Sequence, residues 1–98
     1  MLELEIYNLL NEMVIAAEAD EREKVIEINR EFSSLSSKIE NHFRSLPIEE
    51  QPTDWYEKEI MTYDRVRNLA CYSITNYIQR ESLLEEMRDK FSKIPKPE

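Results

Sequence analysis

The chain predicts an all-α fold, a three- to four-helix antiparallel bundle with a long C-terminal helix, as one domain over residues 1–98. Two observations carry this prediction. From Thr53 to Ile94 there is neither glycine nor proline, and Pro52 and Pro95 stand at the borders. Proline removes a backbone donor and fixes φ, so it belongs at helix ends and in turns. Between these borders Ile60, Tyr63, Val66, Ala70, Ile74, Tyr77, Leu84, Met87, Phe91 and Ile94 recur at helical spacing, which keeps one face toward a neighbour. The second observation is that the 98 residues include no glycine. Sharp turns must then use Asp, Asn or Pro, which argues against β-hairpins and against glycine loops that cradle phosphates.

The first element is expected over Leu2 to Ala19. Leu2, Ile6, Leu9, Met13 and Ala16 form one row, widened by Leu10 and Ala17. The patch of Ala16, Ala17 and Ala19 suits a close helix crossing. A tight turn is expected near Asp20, where Asp20 and Glu23 have the spacing of a capping box. A helix running straight through is the alternative, because no Gly or Pro forces a break.

The second helix is expected over Val25 to Leu46. Val25, Ile28, Phe32, Leu35, Ile39, His42 and Leu46 alternate steps of three and four, a coiled-coil-like spacing. His42 falls on this apolar row and reads as a packed structural residue. Four serines surround Leu35 and are expected to face solvent or to permit a close crossing. Pro47 to Thr53 is a connection, since the residue before a proline is pushed out of the helical region. Asp54 and Glu57 then mark a new helix start, with Trp55 as a lid over the bundle end.

The last helical segment is the longest. From Arg65 to Arg80 it carries no acid. Its apolar residues, Val66, Leu69, Ala70, Cys71, Ile74, Tyr77 and Ile78, spread over about 200° at roughly 100° per residue. A stripe that wide is expected to be covered on two sides. Ser82 to Glu85 has a second capping-box spacing and offers a division near Gln79 to Glu81, with a further helix over Leu83 to Ile94. Pro95 to Glu98 cannot be helical.

Composition narrows the function classes. Acidic residues number 21 and basic residues 13, giving a net charge of −8 with 35 % of the chain charged. That balance suits a solvated helical surface and disfavours nucleic acid as a partner. The single cysteine excludes an internal disulfide, and as part of an apolar arc it reads as a small hydrophobe. No apolar run approaches the roughly 20 residues of a membrane span. Glu3 and Glu5 stand where a signal peptide would carry positive charge, so a cytoplasmic protein is expected. There is no nucleophile elbow, P-loop, HExxH motif or cysteine pair. The chain is therefore read as a non-enzyme with no cofactor and no metal site.

A short first helix, the polar turn Glu18-Ala-Asp-Glu-Arg-Glu-Lys24, a second helix with Val25, Ile28, Phe32, Leu35 and Ile39, a proline-containing link and a long helical C-terminal segment together resemble the FliT type of flagellar type III export chaperone. The resemblance covers nearly the full length and rests on periodicities and lengths. The first turn of helix 2 carries Arg22 and Glu23, where members of the family commonly carry a small residue and an aromatic. The resemblance implies a helical chaperone that binds the C-terminal helix of a filament-cap protein and contacts components of the export apparatus. In the family the C-terminal helix can obstruct partner binding; the division near Ser82 would place such a helix at Leu83 to Ile94. The residues themselves place the partner-binding surface at Ile74, Tyr77, Ile78, Leu83, Leu84, Met87 and Phe91, because this segment offers more apolar circumference than two one-striped helices can cover. The alternative is a constitutive homodimer, in which two helical hairpins form a four-helix bundle as a structural or regulatory adaptor.

Overall fold

In the computed structural model, residues 2–52 and 59–97 are described. Helix α1 spans Leu2–Glu18, α2 Arg22–Ser45, α3 Ile60–Ser73 and α4 Arg80–Ser92, with a 3₁₀ turn at Ile48–Glu50. The fold is all-α, as the periodicity predicts. The helix start expected at Asp54 and Glu57, and the lid expected at Trp55, lie outside the described residues.

The α1–α2 turn is tight, and Asp20 makes it so. Asp20 has φ of 56°. Asp20 N donates to Ala17 O at 3.1 Å and Glu21 N to Ala16 O at 2.9 Å. This is the Schellman pattern, with Asp20 in the left-handed position usually held by glycine. An aspartate tolerates that region better than most residues because its short polar side chain is satisfied locally. The expectation of Asp20 as an N-cap is thus corrected: Asp20 terminates α1. The N-cap of α2 is Glu21, which makes no side-chain capping bond.

Helix α2 buries Val25, Ile28, Phe32, Ile39 and Phe43. His42, placed by spacing on the apolar row, is exposed. A strict heptad drifts about 20° per repeat against a straight α-helix. By the third repeat the inward position has therefore moved from His42 to Phe43. Ser33, Ser34 and Ser37 face solvent, as expected, and Ser36 is half-buried.

The long C-terminal helix is divided, and earlier than Ser82. Helix α3 ends at Ser73 and α4 begins at Arg80. Ser73 Oγ donates to Ala70 O at 2.7 Å and Thr75 Oγ1 to Tyr72 O at 3.2 Å. Such hydroxyls offer the backbone an alternative to the helical ladder. Asn76 then starts the next turn. Its Oδ1 accepts from Gln79 N and its Nδ2 donates to Gln79 Oε1, both at 3.3 Å. Ser82 lies inside α4, so its capping-box spacing marks no boundary here.

Two helical hairpins, α1–α2 and α3–α4, pack together. Helix α1 touches all three others, while α2 and α4 do not meet. The section is a rhombus whose short diagonal is α1 against α3. Ala16, Ala17, Ala70 and Ser73 on these two helices are all essentially inaccessible, and side chains this small let backbones approach closely. The antiparallel α1–α4 register is fixed at both ends. Tyr7 stacks on Phe91 with ring centroids 5.4 Å apart, and Arg80 reaches the α1 C-terminus. The described chain is elongated, 46 × 23 × 21 Å.

Tyr63 is the largest fully buried side chain among the described residues. Burial, followed by the nearby Glu59, Tyr7 and Glu3, pushes its phenol up to about 12 from 10.0. The neutral phenol is thus favoured by folding. Its contribution is fully present below pH 10 and is lost as pH rises from 10 toward 12, where the unfolded chain has already released the proton. In alkaline denaturation, Tyr63→Phe should flatten the fall in stability between pH 10 and 12 relative to wild type. Parallel curves for the two proteins would show that Tyr63 does not drive it.

Candidate functional site

The seven residues chosen from the sequence do not form one surface. Ile74, Leu84 and Met87 are core residues, and Leu83 and Phe91 are half-buried against the core. Tyr77 and Ile78 are exposed, Ile78 at 98 % of its full area. The reason lies in the division of the long helix. Folding α4 back on α3 lets each cover the other, so most of the wide apolar arc is satisfied internally. A single continuous helix would have no such neighbour of its own.

What stays outside of that arc lies at one end of the molecule. Tyr72 closes α3, and Tyr77 and Ile78 lie in the α3–α4 connection; all three are exposed. The connection is braced from several directions. Arg80 donates through Nη2 to Ala17 O at 3.0 Å and to Glu18 O at 3.2 Å. These are carbonyls of the last turn of α1, where a helix accumulates partial negative charge, so a guanidinium is well placed there. Arg88 Nε donates to Glu18 Oε1 at 2.8 Å. The Arg22 guanidinium lies 4.2 Å above the Tyr77 ring, a cation–π geometry that holds the aromatic side chain in place. Asn76 and Gln79 close the loop from within.

The polar brace therefore ties the α3–α4 connection to the α1–α2 turn and leaves Ile78 projecting from a fixed backbone. Fully exposed isoleucine next to two exposed tyrosines is a small apolar knob with polar edges. Sequence periodicity placed Ile78 in the apolar arc of a helix, whereas it lies exposed in the α3–α4 connection. Tyr72, exposed at the end of α3, was not among the residues chosen from the sequence.

The remaining candidates are chemically quiet. Cys71 is half-buried, and burial pushes its thiol up, against a smaller opposing effect of Arg67. Reactive thiols need the reverse balance. Among the described residues no group of three His, Cys, Asp or Glu side chains could hold a metal ion. No helix of the described residues is long and apolar enough to cross a membrane.

Comparison with protein-family models, curated proteins and solved structures finds no match to this chain.

Proposed function

We propose that the chain is a small helical chaperone or adaptor that binds an amphipathic helix of a client protein, with Tyr72, Tyr77 and Ile78 as the contact surface. The single observation behind this reading is Ile78, 98 % exposed on a loop braced by Arg80, Arg22 and Asn76. An isoleucine held in water on an ordered loop favours association, and rigid presentation lowers the entropy cost of binding. Aromatic neighbours supply contact area at little conformational cost. An amphipathic helix meets such a surface through anchors at i, i+3 and i+4. The flagellar export chaperones that the sequence resembles work by this mode, and a filament-cap protein or export component is the client class that the resemblance implies.

The test is affinity capture with wild type and Ile78→Asp, combined with sedimentation of both proteins. A captured protein should bind wild type through a helical segment and lose at least about tenfold in affinity to the variant, a change of about 1.4 kcal/mol. Undiminished binding by a folded Ile78→Asp would place the site elsewhere. Wild type that sediments as a dimer, together with a monomeric variant, would replace the client with a second copy of the chain.

A further inference from the structure

The opposite end of the α3–α4 hairpin carries a groove of different character. Met61, Thr62, Arg65, Lys90 and Lys93 line it. In a chain with 21 acidic and 13 basic residues, no carboxylate among the described residues lines this groove. Met61 is 68 % exposed at its edge. Arg65 already meets Glu86 at 3.0 Å and Lys93 meets Asp89 at 3.1 Å, both at the surface. Lys90 is half-buried and makes no ion pair among the described residues. Its stem covers part of the apolar surface while its charge has no ion-pair partner among the described residues, so it is the unmatched positive charge of the groove.

We propose that this groove docks an acidic amphipathic segment of a partner protein, with an apolar side chain on Met61 and carboxylates on Lys90 and Lys93. Lys90 in the last turn of α4 and Lys93 at its C-cap are three apart and so share a face, with side chains about 5–6 Å apart at their bases. Two acids three or four apart on a partner helix match that separation. Exposed pairs of this kind are individually weak, so the methionine contact is needed to hold the segment and the charges select it. Charge complementarity is what identifies the occupant. The net charge of −8 repels extended polyanions at long range, which disfavours nucleic acid and an anionic membrane. A short segment with few acids feels mainly the local positive groove. The site stands apart from the Ile78 surface and does not depend on the function proposed for it.

The test uses the full chain and a fluorescein-labelled synthetic peptide with leucines and glutamates at helical spacing, followed by fluorescence anisotropy. Control probes are the same peptide with lysine for glutamate, a glutamate peptide without leucines, phosphatidylserine-containing vesicles and a single-stranded oligonucleotide. Wild type should bind the first peptide best, and more weakly as salt is raised. The double variant Lys90→Glu, Lys93→Glu should bind at least about tenfold more weakly, with helicity retained and only a small loss in melting temperature from the exposed Lys93–Asp89 pair. Met61→Ser should also weaken binding, whereas Ile78→Asp should not. Equal binding by the double variant, no binding by wild type, no effect of Met61→Ser, or tighter binding of vesicles or oligonucleotide would each overturn the proposal.

Discussion

Phe32→Ala is expected to lower the stability of the protein by about 3–5 kcal/mol. Phe32 is 1 % exposed and lies midway along α2, among the residues that meet the rest of the bundle. Truncation removes the transfer free energy of the ring and leaves a cavity, since neighbours on rigid helices collapse only in part. The Arg67 guanidinium, 5.9 Å from the ring centroid, also loses its aromatic partner, a smaller effect. A domain of this size holds only about 5–15 kcal/mol in total, so the variant sits near the edge of folding. Urea denaturation of wild type, Phe32→Ala and Phe32→Leu checks the size. The leucine variant should fall between the other two. An alanine variant within about 0.5 kcal/mol of wild type, the range of surface substitutions, would mean that Phe32 is not packed as described.

Phe32 also shows what the sequence makes legible. Local periodicity gave the inner face of α2 from Val25 to Ile39, because steps of three and four follow directly from helix geometry. It failed at His42, where a small angular error per repeat accumulates until the neighbouring Phe43 becomes the inward residue. The four-helix architecture was legible from apolar spacing and from the prolines. The places of its two turns, near Asp20 and next to Gln79, were legible as well, but their backbone geometry was not. Asp20 was read as starting a helix, because an aspartate before a polar turn suits an N-cap as well as it suits the left-handed end of α1. Backbone conformation distinguishes these cases and composition does not. At the second turn, Ser73, Thr75 and Asn76 offered a signal of local side-chain bonding to the backbone, weaker in appearance than the Ser82 to Glu85 spacing. For the surface, spacing could rank residues as apolar and outward on one helix. It could not say that Ile74 would be buried in the core.

The sharpest contrast in the molecule is between two apolar residues six positions apart. Leu84→Asp is expected to unfold the protein at neutral pH, whereas Ile78→Asp should change stability by no more than about 0.5 kcal/mol. Leu84 is 1 % exposed in the core, on the inner face of α4. Removing a buried leucine side chain alone costs about 2–5 kcal/mol. Placing an ionised carboxylate there adds several kcal/mol more, because nothing in the apolar surroundings repays its lost hydration. The sum reaches the whole stability of a typical small domain. Burial would raise the introduced carboxyl's folded pKa above its unfolded value, so the variant's stability is greatest below the unfolded pKa and falls as pH rises through the folded one. Leu84→Asp should therefore recover helicity in mild acid and lose it toward neutrality. Ile78 loses no burial on substitution, and its loop is held by Arg80, Arg22 and Asn76 rather than by its own side chain. Far-ultraviolet circular dichroism of the two single variants across this pH range measures both effects. A folded Leu84→Asp at neutral pH would remove α4 from the core, and an unfolded Ile78→Asp would show that the connecting loop buries what its geometry leaves in water.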